Sequence, residues 1–370
     1  MKIVALGLRG FPNVQGGVET HCENLYPLIV AQGHDVTVLA RSPYTKKAPY
    51  EYKGVKIVPI FCPKQKFLEA IIHTFLGVIK AKSLKPDILH IHAVGPAIMA
   101  PLARMLGMKV VITHHGPDYE RKKWNGFAKF ILKTGECWGV KAANKVICIA
   151  QNIADSVKAK YGVTSVVIPN GVVVPAPVTS AGILEEYDLT KGKYILAVGR
   201  FVPEKGFHDL IEAFRLDCES EVLRKGNWKL VIVGEAVHED SYSLELKSAA
   251  KAVPNVVLTG FQKGLPLKEL YQHAGLFVLP SYYEGLPIVL LEALSYGLSC
   301  LVSDIPANRN VTLPQGRFFR VGDIGALAAK IIELAQRPLT TDERTAQLTM
   351  IAKEYNWPSI AEQTIKAYNV

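Results

Sequence analysis

The sequence predicts an α/β fold built twice, as two parallel sheets covered by helices on both faces and facing each other across a crevice. Three observations lead there. The chain has 370 residues, more than one core ordinarily organises. Short continuous runs rich in Val and Ile recur, each followed by a longer stretch of helical spacing, the pattern of buried parallel strands joined by helical crossovers. A polar, proline-bearing stretch interrupts that rhythm near mid-chain before it restarts, which marks two domains. The composition, 49% hydrophobic and 21% charged, is that of a globular protein rather than a disordered one.

In the first half, strands are expected at Lys2–Leu8, Val36–Leu39, Ile88–His92, Val110–Thr113 and Val146–Ile149. The opening run reads as a buried strand and not as a secretion signal, because Arg9 follows too soon for a signal core. The nearest approach to a membrane span, Ala93 to Val111, is broken by Pro96, Pro101, Arg104 and Lys109, so no transmembrane helix is expected. After Ile168-Pro169-Asn170-Gly171 the chain stays polar to about Gly192, as an inter-domain linker does. Strands then resume at Tyr194–Val198, Leu230–Val233, Val256–Leu258, Leu276–Leu279 and Ser299–Ser303. The last stretch, from Asn356-Trp357-Pro358 to Val370, reads as a helix entered through proline. The domains are thus placed at 1–172 and 190–355, with 356–370 as a terminal helix.

Six cysteines (Cys22, Cys62, Cys137, Cys148, Cys218, Cys300) contain no Cys-x-x-Cys pair. Neither a zinc site of that type nor a secreted disulfide framework is expected, and the thiols read as reduced and mostly buried. A formal charge of +10 attracts anionic partners: phosphate-bearing ligands, nucleic acid or an acidic bilayer face.

Ligands of such folds sit beyond the carboxyl ends of the strands, so the loops that follow strands carry the candidate site. The stretch Leu279-Pro280-Ser281-Tyr282-Tyr283-Glu284-Gly285-Leu286-Pro287-Ile288 ends a strand, holds Glu284 and Gly285 in a loop, and starts a helix with Pro287 in its favoured first position. A helix start aimed at that loop suits a phosphate, while Glu284 before it and Glu292 within it offer acceptors to hydroxyls. Val198-Gly199-Arg200 through Lys205-Gly206 follows another strand. A guanidinium fork and a mobile ammonium there can hold a diphosphate, the plainer reading being solvated surface cations.

Gly7 to Thr20, between the first strand and first helix, contains neither the Gly-x-Gly-x-x-Gly fingerprint nor a Gly-x-x-x-x-Gly-Lys-Ser/Thr loop, which removes the main support for hydride transfer or ATP hydrolysis. Gly16-Gly17 permits close backbone approach to a ligand or serves as a plain helix entry. Thr113-His114-His115-Gly116 sets an imidazole at a strand end, whereas His90 and His92 are given only core or rim roles. No Asp-x-Asp occurs, so a divalent metal on the diphosphate lacks its usual carboxylates, and side-chain cations with helix amides take its place.

The Gly16-Gly17 loop, Val198-Gly199-Arg200 with Lys205-Gly206, and Glu284-Gly285-Leu286-Pro287 with Glu292-Ala293 together resemble the retaining glycosyltransferases of family 4, group 1. The resemblance spans nearly the whole chain. It implies the GT-B fold, two Rossmann-like domains facing each other across a cleft with the C-terminal helix crossing back to the N-terminal domain. It further implies that Glu284 binds donor-sugar hydroxyls, Glu292 the ribose, and Arg200 and Lys205 the diphosphate, joined by Gly16, Gly17, Gly285, Leu286 and Ile288. His114 matches the family's histidine beside the donor sugar. Retention of configuration by same-face displacement is implied as well, with no cofactor and no metal.

The expected activity is transfer of a sugar from a nucleotide diphosphate donor, a UDP-sugar favoured over a GDP-sugar, to a saccharide or lipid-linked acceptor in polysaccharide or lipopolysaccharide synthesis. Tyr119 to Lys133 interleaves Arg121, Lys122, Lys123, Lys129 and Lys133 with Trp124, Phe127 and Phe130, which suggests docking on an acidic inner leaflet by a cytoplasmic, peripheral protein. The apolar stripe Phe67-Leu68, Ile71-Ile72, Phe75-Leu76 and Ile79 is assigned to core packing. Two alternatives keep the donor and drop the transfer: a nucleotide-sugar epimerase of the same fold, and a non-catalytic nucleotide-sugar-binding protein. Nucleic acid is disfavoured as a partner, because Glu284 and Glu292 repel a polyanion.

Overall fold

Apolar runs without polar alternation become strands buried on both faces. The computed structural model describes residues 1–63, 65, 68–120, 125–217, 221–236 and 239–370, which divide into unit 1, Met1–Gly171 with Asn356–Val370, and unit 2, Val172–Tyr355.

Unit 1 contains β1 (Lys2–Leu6), β2 (Asp35–Arg41), β3 (Tyr50–Tyr52), β4 (Val55–Ile60), β5 (Ile88–His92), β6 (Val110–His114), β7 (Lys145–Cys148) and β8 (Val166–Val167). Their order in the sheet is β3-β4-β2-β1-β5-β6-β7-β8, parallel throughout except for the β3-β4 hairpin. That hairpin is absent from the strands expected above. Its signal was local: Lys53-Gly54 carry φ of 48° and 81°, as a two-residue loop of primed type requires. Separate apolar clusters cover the two faces of the sheet.

The helix Trp357–Ala367 closes one face. Asn356 caps it by accepting from the Ser359 amide at 3.1 Å. Trp357, Ile360, Ala361, Thr364 and Ala367 form its buried stripe, and Gly171 leaves room for the Trp357 ring, since a Cβ there would lie 2.5 Å from it. The helix packs against Gly17–Ala31.

Unit 2 contains β9 (Tyr194–Val198), β10 (Lys229–Val233), β11 (Val256–Gly260), β12 (Leu276–Leu279), β13 (Cys300–Ser303) and β14 (Phe318–Phe319). Their order, β11-β10-β9-β12-β13-β14, is that of a doubly wound sheet whose direction of winding reverses between β9 and β12. The polar stretch before β9 is not a free linker. Gln272 brackets the Val178 backbone with two bonds of 2.7 Å, Glu269 accepts from the Ile183 amide at 3.0 Å, and Ile183, Leu184 and Leu189 are buried. Its few apolar residues suffice because side chains of Gly264–His273 satisfy its backbone.

The apolar stripe on the helix Leu68–Leu84 departs from expectation. Phe75, Leu76 and Ile79 are exposed, while His73, Thr74, Gly77, Val78 and Ala81 face inward. Close approach to β1 selects the small residues: a Cβ on Gly77 would lie 2.4 Å from Leu6, and rotation by 3.6 residues per turn then carries the bulky neighbours outward. Phe67 lies outside the described residues. No helix among those described is long and apolar enough to cross a membrane. Cys22, Cys62, Cys148 and Cys300 are buried free thiols and Cys137 is half-buried; Cys218 lies outside the described residues.

Candidate functional site

The reversal between β9 and β12 places two loops side by side at the carboxyl edge of the unit 2 sheet. After β9 the chain runs through Gly199 and Arg200 into a short turn, Pro203–Lys205, closed by Gly206 at φ 65°. A Cβ on Gly206 would fall 2.3 Å from the Pro280 carbonyl oxygen, so glycine is what lets this loop touch the end of β12. The Tyr282 amide then bonds the Glu204 carbonyl at 2.9 Å, and the Tyr282 hydroxyl donates to Asp209 at 2.6 Å.

With the backbones joined, the side chains meet. Lys205 Nζ donates to Glu284 Oε1 at 2.6 Å, and Ser281 Oγ donates to the same oxygen at 2.7 Å. Glu284 Oε2 takes part in neither bond. Arg200 is half-buried at the start of the first loop. Gly285 is half-buried and Leu286 buried, and the helix begins at Ile288. Pro287 is therefore the cap, at φ −75° and ψ 102°, rather than the first helical residue; its extended ψ turns the chain into the helix. The first amides of that helix have no acceptor within it and give its start a partial positive charge.

Glu292 stands one turn further on. Tyr271 donates to its Oε2 at 2.9 Å and stacks on Tyr296 at 5.4 Å. Burial pushes the Glu292 carboxyl up to about 7, with the Tyr271 bond pulling part of the way back. Ser281, Tyr271 and Tyr282 were not singled out from the sequence; Ser281 bonds Glu284 within one loop, whereas Tyr271 and Tyr282 reach carboxylates on other elements, and such hydroxyls carry no motif.

Unit 1 holds the other candidates. The helix Gly17–Ala31 starts at Gly17 with Gly16 before it at φ 155°. Arg9 ties down this entry: its Nε bonds Glu19 at 3.2 Å and its guanidinium donates to the Gln15 carbonyl at 2.7 Å. Burial opposes the Glu19 charge, but the Arg9 charge and hydrogen bonds outweigh it and hold the carboxyl below its usual range. A Cβ on Gly17 would meet nothing within 4 Å, so its surroundings within this unit are open.

His114 is held inside unit 1. It is 1% exposed, its Nε2 is 2.8 Å from Glu136 and its Nδ1 accepts from the Gly116 amide at 3.1 Å. Glu136 also accepts from Tyr119 at 3.0 Å and Tyr161 at 2.5 Å, which makes His114 part of a structural bracket. Alternation along β6 sends the next side chain, His115, to the opposite face, where it is half-buried. Arg121, Lys122, Lys123 and Trp124 of the expected membrane patch lie outside the described residues.

Residues 15–174 match the family described as Glycosyltransferase Family 4, and residues 184–354 match Glycosyl transferases group 1. The chain belongs to the family 4, group 1 glycosyltransferases. The chain is 30% identical to UDP-Gal:alpha-D-GlcNAc-diphosphoundecaprenol alpha-1,3-galactosyltransferase of Escherichia coli, over 61% of the chain and 60% of that protein. It is 27% identical to O-antigen chain mannosyltransferase B of Escherichia coli, over 53% of the chain and 50% of that protein. The chain thus spans between half and two thirds of these two relatives. Among solved structures, sucrose-phosphate synthase from Thermosynechococcus elongatus superposes with a TM-score of 0.81 at 19% identity, covering 99% of this chain and 98% of that one. At that identity the likeness shows the fold, which is GT-B.

Proposed function

We propose that this protein transfers a hexose or related sugar, with retention, from a UDP-sugar to a lipid-linked saccharide during surface polysaccharide synthesis. The observation that carries the reading is the meeting of Lys205 and Glu284 at 2.6 Å beside a helix start, at the winding reversal of the unit 2 sheet. That arrangement offers, in one place, a cation and amides for a diphosphate and a carboxylate for sugar hydroxyls. The relative named for UDP-Gal and a diphosphoundecaprenol acceptor supports the choice of donor and acceptor class.

In this mechanism the acceptor oxygen bonds the anomeric carbon as the bond from that carbon to the phosphate oxygen breaks. Both lie on one face, and the departing phosphate takes the acceptor's proton. Lys205, Arg200 and the amides of Gly285, Leu286 and Ile288 carry the growing charge of the leaving group, as preorganised donors do. No metal is needed for that step. Glu284 holds the sugar through its hydroxyls and Glu292 the ribose. His114 has no part in it.

Binding of UDP in the presence of EDTA, and release of UDP from a UDP-sugar with a polyprenyl-diphosphate saccharide present, test the reading. Lys205→Ala is expected to lower kcat/KM by about 10²–10³-fold and to weaken UDP binding. Glu284→Gln is expected to abolish turnover while UDP affinity stays within a few-fold. Full activity in both variants, or UDP binding that requires a divalent ion, removes the assignment; conversion of donor to an epimer without acceptor points to the epimerase instead.

A further inference from the structure

In the unit 2 sheet β12 lies between β9 and β13, so the loop that follows β12 is held from two sides. On the β9 side it meets Gly206 and Glu204, the contact that brings Lys205 to it. On the β13 side the backbone ladder stops early. Its last paired residues are Leu279 and Val302, and Pro280 has no N–H with which to extend it. A side chain takes over at the next residue: Ser303 Oγ donates to the Ser281 carbonyl at 2.5 Å.

Ser303 is itself held by Asn308, in the helical turn Pro306–Arg309. Asn308 Nδ2 donates to the Ser303 carbonyl at 2.9 Å and to Ser303 Oγ at 3.0 Å. Backbone carbonyls only accept, so the Ser303 hydroxyl proton is committed to Ser281, and Asn308 turns one N–H to each Ser303 oxygen. Ser281 in turn directs its own hydroxyl proton to Glu284 Oε1 at 2.7 Å. That oxygen also accepts from Lys205 at 2.6 Å. Ser281, Ser303 and Asn308 have no exposed surface, so they reach the site only through Glu284. Asn308 Oδ1 is buried without a hydrogen-bond partner. An unpaired buried acceptor costs stability, which marks this amide as held for its two donors.

We propose that Ser281, Ser303 and Asn308 are positioning residues that aim Glu284 at the donor sugar, which rests on the reading of Glu284 as the group that holds sugar hydroxyls. The chain of bonds from Asn308 through Ser303 and Ser281 fixes Oε1 on its buried side, with Lys205 on the other. Oε2 is then the oxygen left to meet a hydroxyl. Without the Ser281 bond the carboxylate keeps its attraction to Lys205 and follows that ammonium on its flexible stem. The loss falls on placement of the sugar and not on the hold on the diphosphate, and a misplacement of about 1 Å slows a reaction by about 100-fold.

Calorimetric dissociation constants of UDP, UDP-glucose and UDP-galactose test the proposal. They are measured for the wild type, for Ser281→Ala, Ser303→Ala and Asn308→Ala, for Glu284→Gln, and for each alanine variant combined with Glu284→Gln. The quantity read is the UDP constant divided by that of the tighter-binding UDP-hexose. Each alanine variant is expected to lower this ratio about 3–10-fold, with UDP affinity held within about twofold and kcat reduced about 10–100-fold. In the Glu284→Gln background none is expected to lower it further, a coupling that a merely structural role lacks. An unchanged ratio in any folded alanine variant while Glu284→Gln shifts it, or additive effects in the double variants, overturns the proposal alone. A ratio unmoved by Glu284→Gln, or no binding of either hexose donor, overturns the reading of Glu284 and the proposal with it. Ser281→Ala leaves the bonds between Asn308, Ser303 and the Ser281 carbonyl intact, so the test holds should the other two variants fail to fold.

Discussion

Glu292 occupies its helix at a cost. A carboxyl held up to about 7 by burial keeps its proton in the folded chain after the unfolded chain has lost it. Between the usual glutamate range and pH 7 the native state therefore binds more protons, and stability falls as pH rises through that window. Glu292→Gln is expected to remove the slope and to stabilise the protein by about 1–3 kcal/mol at pH 8, with no gain at pH 4. Urea denaturation at the two pH values measures it, and a wild-type slope that persists in the variant would assign the titration elsewhere. A residue that destabilises its own fold in this way is what a ligand site produces, since the hydroxyls of a bound ligand would supply the hydrogen bonds that the anion lacks. Lys205 and Glu284 differ, because each already has the other for a partner.

At the scale of the element, the joined loops after β9 and β12 depend on Gly206. Its φ of 65° and the 2.3 Å from a notional Cβ to the Pro280 oxygen leave no room for a side chain. Gly206→Ala is expected to cost about 1–3 kcal/mol, a fall of roughly 3–10 °C in the first thermal transition, and to weaken UDP binding by separating Lys205 from Glu284. An unchanged UDP affinity would mean that the pair forms without this loop contact. The loops themselves were legible: strands, glycines, prolines and charges stand there in plain order. Their contact was not, because 79 residues separate Lys205 from Glu284 and only the sheet order brings them together.

For the whole molecule, the net charge of +10 combines with exposed apolar side chains on two helices of unit 1. Phe75, Leu76 and Ile79 lie on one, and Phe127, Phe130 and Trp138 on the other. Co-sedimentation is expected with vesicles containing acidic lipid, weakening with salt because surface attraction is screened over about 10 Å at 0.1 M. Replacing Phe127 and Phe130 by Ser is expected to reduce binding about tenfold or more, by the apolar area withdrawn from the interface. Equal binding to neutral vesicles would discard the electrostatic part, and no binding to either would discard the surface altogether. The sequence by itself determined the two α/β halves, the absence of the hydride-transfer and ATPase loops, and the family, because strand periodicity and loop chemistry are local and repeat visibly. Only the tertiary structure decided which side chains share a site. Whether Phe75 faces core or solvent and whether His114 or His115 is accessible depend on alternation across a sheet and on close approach at single glycines. Those are relations between distant segments, and the order of residues along the chain does not express them.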